Sequence, residues 1–144
     1  MIRVGFLAIA ALLSGLIPAA AETLNAKKAR AFVAERLFAY QCFDGTTGVG
    51  RISGDGSVAG TIRIYGKDPT RYIRLPVNTV YENGEQICAT VKGLPFSPCF
   101  VITKTSETSF RGAVSGMGFM YCDFVRGGRP TVAKRPKRDA PASQ

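Results

Sequence analysis

The chain has 144 residues, of which 46% are hydrophobic and 20% charged, and this is enough for one domain with a buried core. Its 19 Lys and Arg residues outnumber its 10 Asp and Glu residues, so the net charge is +9, and the chain contains no His and no Trp. The lack of His excludes imidazole-based catalysis and zinc sites with His ligands. Paired carboxylates could still catalyse glycoside hydrolysis without His, but most of the acidic residues fall in predicted turns. We therefore predict a non-enzymatic protein without catalytic residues, cofactor or bound metal.

The first 21 residues have the features of a secretory signal peptide. Arg3 gives a positive start, residues 4–17 form an apolar run, and three alanines at 19–21 offer the small side chains that signal peptidase accepts. A membrane anchor is the alternative, but crossing the hydrocarbon core takes about 20 apolar residues, and the run at residues 4–17 is shorter than that. We predict cleavage after Ala21 and a mature chain that is periplasmic or secreted.

The mature chain is predicted to open with one amphipathic helix over residues 23–40. Its apolar residues recur at spacings of three and four, and the charged residues fall mostly off that stripe. Thr23 or Asn25 can cap the start of the helix by accepting a backbone N–H. We expect the apolar stripe to face the core of the domain.

Beyond Gln41 the apolar pattern alternates with a period of two, and turn signals recur every few residues. Hairpins are predicted around Gly54-Asp55-Gly56 and around residues 82–85. These signals predict seven to nine short antiparallel strands, with no segment left for a second helix. The predicted fold is mainly β: a small antiparallel meander closing into a barrel or sandwich, with the N-terminal amphipathic helix packed on it.

Four cysteines lie in the mature part, and in an oxidising compartment an even number indicates disulfides. A metal site and a reactive thiol are the alternatives, but the spacings lack the paired pattern of zinc sites. Cys88 and Cys99 flank one tight connection, whereas Cys42 and Cys122 lie on the first and last predicted strands. We predict the pairs Cys42–Cys122 and Cys88–Cys99, and the other two pairings remain alternatives.

Positive charge is concentrated at the C-terminus. Residues 126–144 carry six basic residues, one acidic residue and three prolines, with few large apolar side chains. Such a segment cannot bury enough surface to fold, so we predict a disordered basic tail after a single domain at residues 22–125. The tail is interpreted as adhering to an anionic envelope surface, with plain solubilisation as the alternative. The candidate residues for this binding are Arg126, Arg129, Lys134, Arg135, Lys137 and Arg138.

Other motifs are given structural interpretations. The glycines at 48–50 lack the third glycine and the following helix of a phosphate-binding loop, and they are interpreted as turn or bulge residues. Asp44 and Asp55 are interpreted as turn residues rather than calcium ligands. Asp123 lies inside the last predicted strand, where Arg111 on the preceding strand is expected to pair with it.

Aromatic residues are spread through the β region, where they either fill a small barrel or line an apolar ligand cavity. We expect the first use, because a domain of this size has little volume to spare. The residues concerned are Tyr40, Phe43, Tyr65, Tyr72, Tyr81, Phe96, Phe100, Phe110, Phe119, Tyr121 and Phe124.

Several short motifs carry a resemblance. They are Cys42-Phe43-Asp44-Gly45-Thr46, Asp55-Gly56-Ser57-Val58, Gly93-Leu94-Pro95-Phe96-Ser97-Pro98-Cys99-Phe100, Ser109-Phe110-Arg111-Gly112 and Tyr121-Cys122-Asp123-Phe124. Over about residues 24–125 the chain resembles small exported proteins of rhizobial-type alphaproteobacteria. The resemblance implies a Gram-negative periplasm and transfers no functional residue.

Two functions are compatible with these features. The first is a non-enzymatic periplasmic β module that binds an envelope partner, either a protein or an anionic surface reached through the tail, or supports the cell envelope. The alternative is a small apolar-ligand carrier with a lipocalin-like cavity. An exported chain is not expected to bind nucleic acid, and no transmembrane segment is predicted in the mature chain.

Overall fold

The computed structural model describes residues 20–127. Most of the predicted signal peptide, and the predicted tail from residue 128 onward, lie outside these residues. The described part holds one α-helix and ten strands. Their bounds are β1 Glu22–Leu24, α1 Ala26–Val33, β2 Leu37–Cys42, β3 Thr47–Ile52, β4 Val58–Arg63, β5 Arg71–Leu75, β6 Val80–Asn83, β7 Gln86–Ala89, β8 Cys99–Ser106, β9 Ser109–Val114 and β10 Met117–Arg126.

All ten strands belong to one antiparallel sheet that curls into a half-barrel. The strand order is β5-β4-β3-β2-β10-β9-β8-β7-β6, and β1 pairs with β8 beside this path. The sheet therefore consists of two meanders, β2 to β5 and β6 to β10. They meet where β2 pairs with β10, and this junction joins the early part of the chain to its late part.

The mainly β, antiparallel character of the fold is as predicted, but strand pairing does not close the sheet into a barrel. The first and last predicted strands do meet, yet they meet in the middle of the sheet, so the two edges are the mid-chain strands β5 and β6. The connection between these edges bonds to the β3–β4 turn instead. The backbone N–H of Asn78 donates to Asp55 and that of Val80 donates to Gly56, both at 2.9 Å.

The helix is shorter than predicted. It spans Ala26–Val33, and the predicted range 23–40 also includes β1 and most of β2. Asn25 caps the start, since its side chain accepts from the Lys28 N–H at 2.9 Å. At the other end Ala34 is extended and Glu35 has a positive φ of 62°, so the helix stops before Leu37. The following residues form a ladder with β3 and β10, and this pairing overrides the local helical pattern.

The core lies between the helix and the concave face of the sheet. Phe110 stacks on Phe124 with ring centroids 4.4 Å apart, and it meets Phe38 edge-on at 5.1 Å. The buried side chains that the helix contributes are small in comparison with these phenylalanines. The buried cluster consists of Leu24, Ala26, Ala29, Val33, Phe38, Ile87, Ile102 and Phe110.

Two disulfides lie between neighbouring strands. Cys42 and Cys122 face each other across the β2–β10 junction, and Cys88 and Cys99 face each other across β7 and β8. These are the two pairs expected from the strand positions. Within residues 20–127 no helix is both long enough and apolar enough to cross a membrane.

Candidate functional site: the apolar cavity of the half-barrel

The concave face of the sheet leaves a cavity beneath the helix. Strand alternation turns Cys122 and Phe124 of β10 to this face, together with Phe110 and Gly112, their partners on β9. The helix covers them with Ala29 and Val33, which are too small to fill the space. A cavity of about 240 Å³ remains.

The cavity wall is apolar throughout. Every lining side chain is aliphatic, aromatic or part of a disulfide, and none carries a charge or a hydroxyl group. Such a wall offers water no hydrogen-bond partners and suits an uncharged apolar molecule. The lining residues are Ala29, Val33, Ile52, Val80, Ile87, Cys88, Ala89, Phe100, Ile102, Phe110, Gly112, Cys122 and Phe124.

Tyr40 on β2 extends the concave aromatic surface. Its ring centroid lies 5.7 Å from that of Phe124, and its hydroxyl donates to the Thr61 carbonyl oxygen at 3.0 Å. Burial raises the pKa of Tyr40, so the phenol stays neutral. The tyrosine ring lies against Gly48 and Gly50 of β3. These two glycines, predicted as turn or bulge residues, are instead paired strand residues, and a side chain at Gly48 would collide with Tyr40.

A second depression crosses the convex face. It is larger, about 620 Å³, but it is a shallow groove open to solvent. Leu37, Arg51, Tyr72 and Arg74 border it, and Arg51 already pairs with the Glu35 carboxylate at 2.6 Å. Because the groove encloses nothing, the smaller concave cavity is the better candidate for a ligand site.

The residues predicted for anionic-surface binding are only partly described. Arg126, assigned to the tail by the sequence, is instead the last residue of β10, opposite Phe38. Its guanidinium carbon lies 5.5 Å from the centroid of the Phe32 ring, so its stem is part of the domain. Arg126 belongs to the domain and not to the tail because the pairing of β10 with β2 continues one residue beyond Val125. The other five candidates, Arg129, Lys134, Arg135, Lys137 and Arg138, lie outside the described residues.

The predicted turn residues act locally. The Asp44 carboxylate accepts from the Thr46 N–H, and the Asp55 carboxylate accepts from the N–H and hydroxyl of Ser57. The Ser57 hydroxyl bond is the main cause that lowers the pKa of Asp55. Both residues thus have the turn role that the sequence predicted. Between residues 20 and 127, no three potential metal-ligating side chains cluster.

The ion pair expected between Arg111 and Asp123 is confirmed. The guanidinium group donates two hydrogen bonds to the carboxylate, at 2.7 and 2.9 Å. The same group lies 3.8 Å from the ring centroid of Tyr121. The hydrogen bonds that Arg111 donates to the Asp123 carboxylate raise the pKa of Arg111. Because the two charges neutralise each other at the surface, this pair is a structural contact between β9 and β10.

The sequence predicts that all eleven aromatic residues of the β region fill the core, and this is wrong for several of them. Phe100, Phe110 and Phe124 line the cavity, whereas others that were expected to fill a core, such as Tyr72 and Phe119, are exposed. The sequence feature that could have predicted the cavity is the set of small residues on one face of the helix. Ala26, Ala29 and Val33 cannot fill a curled sheet.

Comparison with known proteins finds no matching family model, no matching curated protein and no matching solved structure. The chemistry of the cavity and of the exposed surfaces is therefore the basis for the functional interpretation.

Proposed function

We propose that this protein is an exported, non-enzymatic binding protein that holds a small apolar ligand in the half-barrel cavity. The observation that carries the proposal is the cavity of about 240 Å³ with its wholly apolar wall. Export is supported by the leader-like residues 1–21 and by two disulfides, which persist in oxidising compartments.

The cavity volume limits the size of the ligand. A cavity of roughly 150 Å³ lined by Leu, Ile and Phe accepts benzene, and the volumes of sites for drug-sized molecules start at about 300 Å³. The space in this protein lies between these values. A compound of one or two rings, or a short branched or linear hydrocarbon group, fits that range.

The energy of an empty cavity supports the same proposal. Unfilled core volume costs about 24 cal/mol per Å³, so a fully enclosed space of this size would cost on the order of 6 kcal/mol. The cavity is partly open to solvent, and this value is therefore an upper limit. That value is comparable with the total stability of a typical small domain, about 5–15 kcal/mol. A ligand that fills the cavity would recover much of this energy, and binding would therefore stabilise the fold.

Thermal unfolding of the mature protein with naphthalene as the probe tests the proposal. Ala29 lines the cavity and Ala31 lies on the exposed side of the same helix, so Ala29→Met and Ala31→Met form a matched pair. We expect naphthalene to raise the melting temperature of the native protein and of Ala31→Met, but not of Ala29→Met. Equal shifts in the two variants, or no shift in the native protein, would contradict the proposal.

The second candidate function is a module that binds a partner of the cell envelope. It is favoured by the large apolar side chains that are exposed to solvent, twelve within residues 20–127. Scattered exposed side chains are ordinary on soluble proteins, so their number alone decides nothing. Their placement does carry information.

A further inference from the structure

Four connections of the chain lie at the same end of the half-barrel. Since neighbouring strands are antiparallel, the end of β2, the end of β4, the end of β7 and the start of β10 all reach one end of the sheet. The connecting residues are 43–46, 64–70, 90–98 and 115–116, and we call them, together with residues 117–120 at the start of β10, the aromatic rim. In strand order they are lateral neighbours.

The aromatic rim carries most of the exposed apolar side chains. Phe119 is 69% exposed, Tyr65 63% and Phe96 56%. The opposite end of the sheet has fewer and more dispersed examples, among them Leu37 at the start of β2 and Val125 near the end of β10. The exposed large apolar residues of the aromatic rim are Phe43, Ile64, Tyr65, Leu94, Phe96, Met117 and Phe119.

Part of the aromatic rim is held in place by specific contacts. Tyr65 has a left-handed backbone with φ at 53°, which is costly for a bulky residue, and its N–H donates to the hydroxyl of buried Thr46 at 3.1 Å. Phe43 meets Phe119 edge-on at 6.4 Å, and its N–H donates to the Tyr121 carbonyl at 3.0 Å. The exposed rings are therefore presented by a preformed framework.

The charge around these rings is predominantly positive. Arg63 and Asp68 form an ion pair at 3.2 Å. Lys67, Arg71 and Lys92 lie in or beside the same connections, and no carboxylate within the described residues comes within 4.0 Å of them. The other acidic group of the aromatic rim, that of Asp44, accepts a hydrogen bond from its own turn.

We propose that the aromatic rim docks the protein on a membrane surface that contains anionic lipids. Separate Phe, Tyr, Leu and Ile side chains on several connections suit a fluid interface, where amphipathic rings lie at headgroup level. The neighbouring cations match anionic headgroups, with about 1 kcal/mol for each cation near the surface. A protein partner would instead need a continuous complementary surface of about 800 Å² on each side. The inference makes the second candidate function specific and rests on it.

Co-sedimentation of the mature protein with vesicles tests the inference. Vesicles of phosphatidylglycerol mixed with phosphatidylcholine are compared with vesicles of phosphatidylcholine alone. Replacing both Tyr65 and Phe119 with Ser removes two exposed rings, and we expect it to weaken partitioning to the anionic vesicles about tenfold. Val125→Ser, near the end of β10 and 45% exposed, is the control and should bind like the native protein.

A charge variant separates lipid recognition from general stickiness. Replacing Lys67 and Arg71 with Gln should weaken binding to anionic vesicles about tenfold and leave the weak binding to phosphatidylcholine unchanged. If the variant with Ser at 65 and 119 has a lower melting temperature than the native protein, a variant with Leu94→Ser and Phe96→Ser is tested in its place. Equal losses in the Val125→Ser control, unchanged binding in the aromatic variants, or native binding of equal strength to both kinds of vesicle would overturn the inference. The naphthalene measurement is independent of all these outcomes.

Discussion

At the scale of single residues, the structure separates local chemistry from chemistry that depends on a distant partner. The turn roles of Asp44 and Asp55 follow from their immediate neighbours, and the sequence predicted them. The role of Gly48 depends on Tyr40 of the preceding strand and Thr61 of the following one. Nothing near Gly48 in the sequence states which side chain lies over it.

Replacing Gly48 with Ala tests this packing. The added methyl group would overlap the Thr61 carbonyl oxygen and lie 2.6 Å from the Tyr40 hydroxyl. Because backbone cannot move aside easily, we expect a loss of about 2 kcal/mol in the free energy of unfolding, measured by urea denaturation. Gly118→Ala is the control, since no atom lies within 4 Å of the added group. Equal effects at the two positions would contradict the packing argument.

Glu35 gives a prediction about pH. Its carboxylate accepts from the Gly54 N–H and from Arg51, and these bonds lower its pKa below the ordinary value of 4.5. A lowered folded-state pKa gives stability that is present above pH 4.5 and is lost as the pH falls through the folded-state pKa. Thermal unfolding of Glu35→Gln should therefore show a lower melting temperature than the native protein at neutral pH.

The difference in melting temperature between the native protein and Glu35→Gln should shrink at acid pH. Glu85→Gln is the control, because within the described residues Glu85 has no ion pair. A difference between native protein and Glu35→Gln that persists unchanged at low pH would show that the carboxylate charge is not involved.

At the scale of elements, hairpins were predictable and the helix end was not. The turns at residues 53–57 and 84–85 are short and glycine-containing, and the structure forms hairpins at both. The apolar spacing that predicted a helix as far as Tyr40 continues through Leu37 and Phe38, but the helix ends at Val33. Residues 37–40 gain more from pairing with two neighbouring strands than from one further helical turn. Such non-local pairing is invisible to a helical pattern.

The disulfides are expected to contribute unequally to stability. The Cys42–Cys122 bond spans 80 residues and Cys88–Cys99 spans 11. In the chain-entropy model these loops correspond to about 4.5 and about 3 kcal/mol, before any native-state strain. The first bond also joins the two meanders. We therefore expect Ser at 42 and 122 to lower the melting temperature more than Ser at 88 and 99.

Calorimetry on the two double variants measures this difference, and peptide mapping without reduction checks the pairs in the native protein. A greater loss from Ser at 88 and 99 would show that local strain or packing outweighs loop length. A peptide linking Cys42 to Cys88 or Cys99 would refute the strand order itself.

At the scale of the whole molecule, the sequence predicted a mainly β domain, and the structure shows which strands lie at the edges. The chain order alone does not show that β2 and β10 pair internally while β5 and β6 stay unpaired on one side. The cavity was equally hard to predict. Its volume depends on the curvature of the sheet and on how small the covering residues Ala29 and Val33 are in relation to that curvature.

The tail provides a prediction at this scale. Arg126 belongs to β10, so a truncation that tests the tail has to start after Gly127. Because all described strand pairing lies within residues 22–126, removal of 128–144 should leave the melting temperature unchanged. It should weaken retention on anionic vesicles at low salt, since it removes five of the six candidate cations. A lowered melting temperature would assign the removed residues a role in the fold.

The connectivity of the cysteines is nested: the first joins the fourth and the second joins the third. A chain that emerges with its N-terminus first presents Cys42 together with Cys88 well before Cys122 becomes accessible. Oxidation before Cys99 emerges can form only the wrong Cys42–Cys88 bond, and attack by another thiolate has to release Cys42 for its native partner. We expect a disulfide isomerase to raise the yield of native protein when the chain is translated in an oxidising cell-free system. Replacing Cys88 and Cys99 with Ser should remove that dependence.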